Sequence, residues 1–190
     1  MRLTADHLIV AAWLAWVALW VIWARNTKRV LRHEGWASRA LHLVPLWLAV
    51  LLLVDPRDQP ALFTTVLLPP AAWMGWAGLG ITLAGLGFAI WARVTIAGNW
   101  SGTVTLKQGH ELVQSGPYAM VRHPIYTGLI LALAGTALAT DAPRGWLAVV
   151  IVAASFARKL RTEEAFMRAA FGAAYHEYAA MVPALLPKLK

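Results

Sequence analysis

The chain has 190 residues, 59% of them hydrophobic and only 14% charged, with a mean hydropathy of +0.58. Soluble domains carry about 25% charged residues, so the composition excludes a disordered chain and argues against a soluble globular enzyme. Cysteine is absent, which excludes disulfides, a thiolate nucleophile and thiolate-held metals. The net charge of +8 sits at the ends of apolar segments, the pattern of a membrane protein rather than of a nucleic-acid binder.

Residues 8–24 form an apolar run closed by Arg25, Lys28 and Arg29. No small-residue cleavage site follows, so the run reads as a spanning helix and not as a signal peptide. A second run, about 38–54, ends at Asp55-Pro-Arg-Asp58. The charge-free stretch 61–92 is split by Pro69-Pro70 into a short interfacial connection and a third span, 71–92. Gly78, Gly80, Gly85 and Gly87 lie in that span; small residues let helices approach closely or leave room for a ligand. Residues 125–140 and 144–158 are the fourth and fifth spans, and the turn Asp141-Ala-Pro-Arg144 forces them into an antiparallel hairpin. The stems of Arg158 and Lys159 can snorkel to the interface, so the fifth helix can run on past them.

The expected fold is therefore all-α: one polytopic membrane domain over 1–190, with about five transmembrane helices and a cytoplasmic C-terminal helical segment. Of the 17 Lys and Arg residues, all but Arg2, Arg57 and Arg144 fall on one side of this arrangement. The positive-inside rule makes that side cytoplasmic, with the N-terminus outside and the C-terminus inside a bacterial inner membrane.

Arg122 and Glu163 are equidistant from the centre of the hairpin turn. Arg122-His123-Pro124 and Arg161-Thr-Glu163-Glu164 should then meet at the inner membrane surface. Ionisable residues there suggest function; the alternative is an ion pair that ties two helix ends together. Pro124 suits the first position of the fourth helix. That places His123 near the cap, where the positive helix end favours an anion such as a carboxylate. Gly116-Pro117-Tyr118 reads as a turn that carries an aromatic towards this point. The six histidines have no metal-ligand spacing, and no Gly-rich dinucleotide or phosphate loop occurs.

The stretch Gly109-His110-Glu-Leu112-Val113-Gln-Ser-Gly116-Pro117-Tyr118-Ala-Met-Val-Arg122-His123-Pro124-Ile-Tyr126-Thr-Gly128 resembles the signature of the isoprenylcysteine carboxyl methyltransferase family. Arg161-Thr-Glu163-Glu164, Phe171-Gly172, Tyr175, Tyr178 and Val182-Pro183 are similar to its C-terminal motif, and Asn99-Trp100-Ser101 resembles its bacterial members. The likeness covers roughly residues 90–187, the expected catalytic core. It implies an integral membrane methyltransferase that uses S-adenosylmethionine, needs no metal, and acts on a lipophilic or small acceptor. By position it implies cofactor contacts from His110, Leu112, Val113, Gly116, Tyr118, His123 and Tyr126. It also implies that Arg161, Glu163 and Glu164 lie near the point of methyl transfer, and the hairpin count adds Arg122 to them. Eukaryotic members carry further N-terminal spans, an argument against a prenylated protein as the acceptor here.

Methyl transfer from a sulfonium depends chiefly on alignment. A carboxylate acceptor needs only a cation, Arg161 or Arg122, to hold it. An amine or thiol must lose a proton, which Glu163 or Glu164 can accept. Two other readings exist: an NADPH-dependent sterol-type reductase, whose core carries a related Arg-His motif, and a non-catalytic membrane binding protein.

Overall fold

Each expected apolar run is helical in the computed structural model, which describes residues 4–24, 30–33, 36–54, 65, 67, 71–97, 105–107 and 112–187. The helices are α1 (Ala5–Ala24), α2 (Trp36–Val54), α3 (Ala72–Ile96), α4 (Pro124–Thr140), α5 (Pro143–Phe171) and α6 (Ala173–Met181). Among the described residues two departures from a purely helical chain occur. The short strands β1 (Val30–His33) and β2 (Thr105–Lys107) pair antiparallel, and Gly116–Ala119 forms a turn of 3-10 helix. The expected turn at 55–58, the Pro69-Pro70 break and most of the interfacial connection lie outside the described residues.

The hairpin α4–α5 has local causes. Pro124 and Pro143 open the two helices at positions where a missing N–H costs nothing. Asp141 ends α4 in the left-handed region (φ 43°), with its N–H donating to the Ala137 carbonyl at 3.0 Å; aspartate tolerates that conformation better than most residues. The fifth helix does continue past Arg158 and Lys159, to Phe171.

Glycine sets the contact of α3 with α4. A Cβ on Gly85 would lie 2.5 Å from the Gly128 carbonyl oxygen, and one on Gly78 would lie 2.5 Å from that of Gly135. The two pairs recur every two turns along one stripe, so the backbones touch there. Gly80 and Gly87 face no atom of another described helix within 4 Å. Between the glycine pairs, Thr82 Oγ1 donates to the Ala132 carbonyl (3.2 Å) and lies 3.3 Å from Thr136 Oγ1. Thr136 Oγ1 in turn accepts the indole N–H of Trp13 at 3.0 Å, which docks α1. On the other flank, Ala49 of α2 packs with Ala148, Val152 and Phe156 of α5.

Arginines fasten helix ends that the glycine stripe does not reach. Arg93, 4% exposed, donates to the Trp23 carbonyl at the end of α1 (3.0 Å) and to the Ala97 carbonyl after its own helix (2.7 Å). Arg144 donates to the Leu52 carbonyl near the end of α2 (3.1 Å). The last carbonyls of a helix lack intrahelical partners, and a guanidinium supplies them. With the β1–β2 ladder, Arg93 ties the segments that follow α1 and α3 to one side of the helix layer.

Among the described residues, Ala5–Ala24 and Trp73–Ile96 are long and apolar enough to cross a bilayer; Leu43–Leu53 and Pro124–Thr140 are shorter apolar helices. Val10, Leu14, Val17 and Ile22 on α1, and Val44, Trp47 and Leu51 on α2, are exposed. Apolar surface on this scale suits contact with lipid.

Candidate active site

The head of α4, with the two residues before it, and the fifth to seventh turns of α5 carry the charged cluster, as the hairpin count requires. The turn Gly116–Ala119 sits on the end of α3: Gly116 (φ +59°) lies beside Trp91 and Thr95, and Pro117 and Tyr118 are buried. This delivers Arg122 and His123 to the head of α4.

Arg122 is held on all sides. Its Nε and Nη2 donate to Glu164 Oε1 at 3.0 and 2.5 Å. Its Nη1 donates to the carbonyls of Ala179 (3.0 Å) and Val182, at the end of α6. Glu164 Oε2 also accepts from Arg168 Nη2 at 2.8 Å. Glu164 is 7% exposed. The hydrogen bond from His123, against the opposing cost of burial and with help from Arg122, holds its carboxyl down at about 2.

His123 lies between two carboxylates. Its Nδ1 is 3.5 Å from Glu163 Oε2 and its Nε2 is 3.4 Å from Glu164 Oε1. Only the imidazolium can donate from both nitrogens. Burial alone would lower its pKa, but the two carboxylates together raise it. The ring lies parallel to that of Tyr126, with centroids 5.6 Å apart, and Tyr126 stacks on Phe156 at 4.5 Å.

Glu163 points the other way around α5. It accepts the Tyr126 hydroxyl at 2.5 Å and has Lys159 Nζ 4.0 Å away. Burial pulls its pKa up, but His123, Lys159 and Tyr126 outweigh it and keep the carboxyl below its ordinary value. With 24% of its side chain exposed, against 7% for Glu164 and 10% for His123, it is the most open of the three groups.

The C-terminal segment closes the arrangement through main-chain bonds. Arg122 N–H donates to the Pro183 carbonyl (2.8 Å) and His123 N–H to that of Ala184 (3.0 Å). Thr127 Oγ1 donates to the Leu185 carbonyl (2.7 Å). Tyr178, buried on α6, donates its hydroxyl to the Tyr118 carbonyl at 2.7 Å.

The sequence-derived residues thus divide. Arg122, His123, Tyr126, Glu163 and Glu164 come together in one cluster. Arg161 is exposed on the far side of α5 from Glu163. Leu112 and Val113 are half-buried on the approach to the turn, Gly116 is exposed within it, and Tyr118 is buried beneath it. His110 lies outside the described residues. Sequence reasoning gave no place in the site to Lys159 or Arg168, read Tyr178 only as part of the C-terminal motif, and did not single out Phe156. The signal was present for the first two: each stands four residues from a partner carboxylate on one helix, the spacing of an ion pair. Among the described residues no group of three or more His, Asp or Glu could hold a metal ion.

Residues 73–174 match the phospholipid methyltransferase family. The chain is 30% identical to the cobalt-zinc-cadmium resistance protein CzcN of Cupriavidus metallidurans, over 83% of this chain and 72% of that protein. It is 32% identical to protein-S-isoprenylcysteine O-methyltransferase B of Arabidopsis thaliana, over 58% of this chain and 59% of that one. Among solved structures it resembles the eukaryotic intramembrane Ras methyltransferase, an isoprenylcysteine carboxyl methyltransferase. That match has a TM-score of 0.54 and 25% identity, and covers 81% of this chain but 53% of that one. The chain therefore spans little more than half the length of the named methyltransferases it matches.

Proposed function

The chain belongs to the phospholipid methyltransferase family, and on that premise we propose that it is an integral membrane methyltransferase dependent on S-adenosylmethionine. Its acceptor is a lipophilic or small molecule methylated at the membrane surface, at a carboxylate as in the relatives' names or at an amine or thiol. The observation that carries this reading is the convergence of Arg122-His123 with Glu163-Glu164 at the head of one helical hairpin. Those are the two motifs on which the family resemblance rests.

The residues present fit a cationic donor. Glu163 is ionised and partly exposed, a countercharge for a sulfonium. When bound, S-adenosylmethionine supplies a methyl group whose bond to sulfur breaks as the acceptor's lone pair takes the carbon, the bonding pair staying on sulfur. The protein's part is alignment and charge. Arg122 fixes Glu164 and the segment after α6. His123, held between both carboxylates, keeps Glu163 in one orientation. Glu163 meets the reacting groups and takes the proton if the acceptor is an amine or thiol. Five spans are proposed for the chain, with the cluster on the cytoplasmic side. The basic residues and the ladder that joins the segments after α1 and α3 support that topology.

Calorimetry on the detergent-purified protein tests the reading. S-adenosylhomocysteine should bind and NADPH should not, and His123→Ala should weaken binding in a protein that is still folded, though less stable because two carboxylates lose their shared partner. Tight NADPH binding would favour the reductase reading instead. Labelled S-adenosylmethionine with membrane extract would identify the acceptor class.

A further inference from the structure

The two oxygens of Glu163 are engaged unequally. Oε1 accepts the Tyr126 hydroxyl at 2.5 Å and has Lys159 Nζ at 4.0 Å. Oε2 stands 3.5 Å from His123 Nδ1, beyond the range of a good hydrogen bond. Among the described residues, the one short bond to this carboxylate therefore comes from Tyr126. The ring that carries the hydroxyl has little freedom. It stacks on Phe156 at 4.5 Å, lies parallel to the His123 ring at 5.6 Å, and packs against the buried cluster of Ala49, Ala148, Val152 and Phe156. Tyr126 is the third residue of α4, two after Pro124. Side chains of a helix lean towards its N-terminus, which brings the phenol to the head of the hairpin. The family likeness implies a cofactor contact for Tyr126; in the structure its hydroxyl proton is spent on a protein carboxylate.

We infer that Tyr126 is a positioning residue and not a cofactor contact: by holding Oε1 of Glu163 it leaves Oε2 to serve as the countercharge of the methyl donor. The inference rests on the methyltransferase reading above. A hydrogen bond to an ionised acceptor is the stronger kind, and this one fixes the carboxylate against two competing cations. Without it, Glu163 could close on Lys159 or on His123, both already within 4.0 Å, and either contact would draw its charge away from the donor. The charge on the donor's sulfur exists only before transfer, since S-adenosylhomocysteine is neutral there. A group that orients Glu163 therefore favours the donor over the spent product, and an interaction of that kind raises the rate instead of tightening all binding alike.

The test is calorimetry on the full chain in detergent with two probes: S-adenosylhomocysteine, and sinefungin, which carries an ammonium where the donor carries its methylated sulfur. Wild type should bind sinefungin more tightly than S-adenosylhomocysteine. Tyr126→Phe removes one oxygen and keeps the ring. It should cut sinefungin affinity about 10-fold, the loss of one hydrogen bond to a charged group, and leave S-adenosylhomocysteine affinity little changed. In Glu163→Gln the preference for sinefungin should already be gone, and adding Tyr126→Phe should take nothing further away. Equal losses for both probes in Tyr126→Phe would make Tyr126 a cofactor contact and overturn the inference. So would no loss for either probe, or a further loss in the Glu163→Gln background. A wild type that binds both probes alike would remove Glu163 as the countercharge, and this inference with it, while leaving the methyltransferase reading standing. A wild type that binds neither would remove that reading and this inference together.

Discussion

Glu163 and Glu164 are neighbours in sequence but about 100° apart around α5, and their losses should differ in kind. Glu164 takes two donors of Arg122 and one of Arg168, and is 7% exposed. Its carboxyl is held at about 2 against an ordinary 4.5, a preference for the charged form worth about 3 kcal/mol. That agrees with the ~3–5 kcal/mol lost when one partner of a buried ion pair is removed. Glu164→Gln should therefore destabilise the protein by about 3 kcal/mol, on the order of 6–12 °C in melting temperature for a chain of this size. The segment after α6 should loosen with it, because Arg122 also holds the Ala179 and Val182 carbonyls. Glu163→Gln keeps an acceptor for the Tyr126 hydroxyl and loses only the longer ion pairs, at 3.5 and 4.0 Å. Its stability cost should be about 1 kcal/mol, while single-turnover methyl transfer falls roughly 30- to 1000-fold. The assay is single-turnover transfer beside melting temperature for each variant. A Glu164→Gln protein that melts with the wild type, paired with a fully active Glu163→Gln, would refute this division of labour.

Gly85→Ala, whose Cβ would meet the Gly128 carbonyl oxygen at 2.5 Å, should lower the melting temperature sharply, whereas Gly80→Ala, with no atom of another described helix within 4 Å, should hold or raise it. The pH dependence of melting has two limbs. His123 has a raised pKa, so its stabilisation is complete below about 6.5 and is lost as pH rises through the folded value. Glu164 has a lowered one, so its stabilisation is complete above 4.5 and is lost as pH falls towards about 2. Melting temperature should thus peak in weak acid, and His123→Asn should flatten the alkaline limb and shrink the acid one, since His123 is the first cause of the lowered Glu164 pKa; a profile unchanged in that variant would contradict the assignment. A reporter fused after Lys190 should read cytoplasmic and one inserted near Asp58 external, and finding both on one side would sink the five-span topology.

The long elements were legible because apolar runs and prolines speak directly to helix extent: 8–24, 38–54, 71–92, 125–140 and 144–158 all fall within helices or reach to within one residue of their ends. The hairpin count brought Arg122 level with Glu163, but equal depth does not fix rotation, and the guanidinium turns to Glu164. Arg161, which the family resemblance puts near the point of methyl transfer, is carried by the helix to the exposed side of α5 opposite Glu163. The β1–β2 ladder left no trace, since strands of four and three residues are too short for alternation to show. Tyr118 illustrates another limit. A turn predicts that an aromatic arrives, not whether it lines a pocket or, as here, is buried under Tyr178.

The backbone bonds that lay Pro183, Ala184 and Leu185 along Arg122, His123 and Thr127 also set an order of manufacture. Chains grow from the N-terminus at about 5–20 residues per second, so α4 and α5 are made before the stretch that latches them. A nascent chain halted at the end of α5 holds both carboxylates and the arginine, yet has no carbonyls from Ala179 and Val182 to saturate that arginine. The cluster is then complete only once the final stretch is delivered, and a product cut short before residue 179 would lack two of the three groups that hold the Arg122 guanidinium.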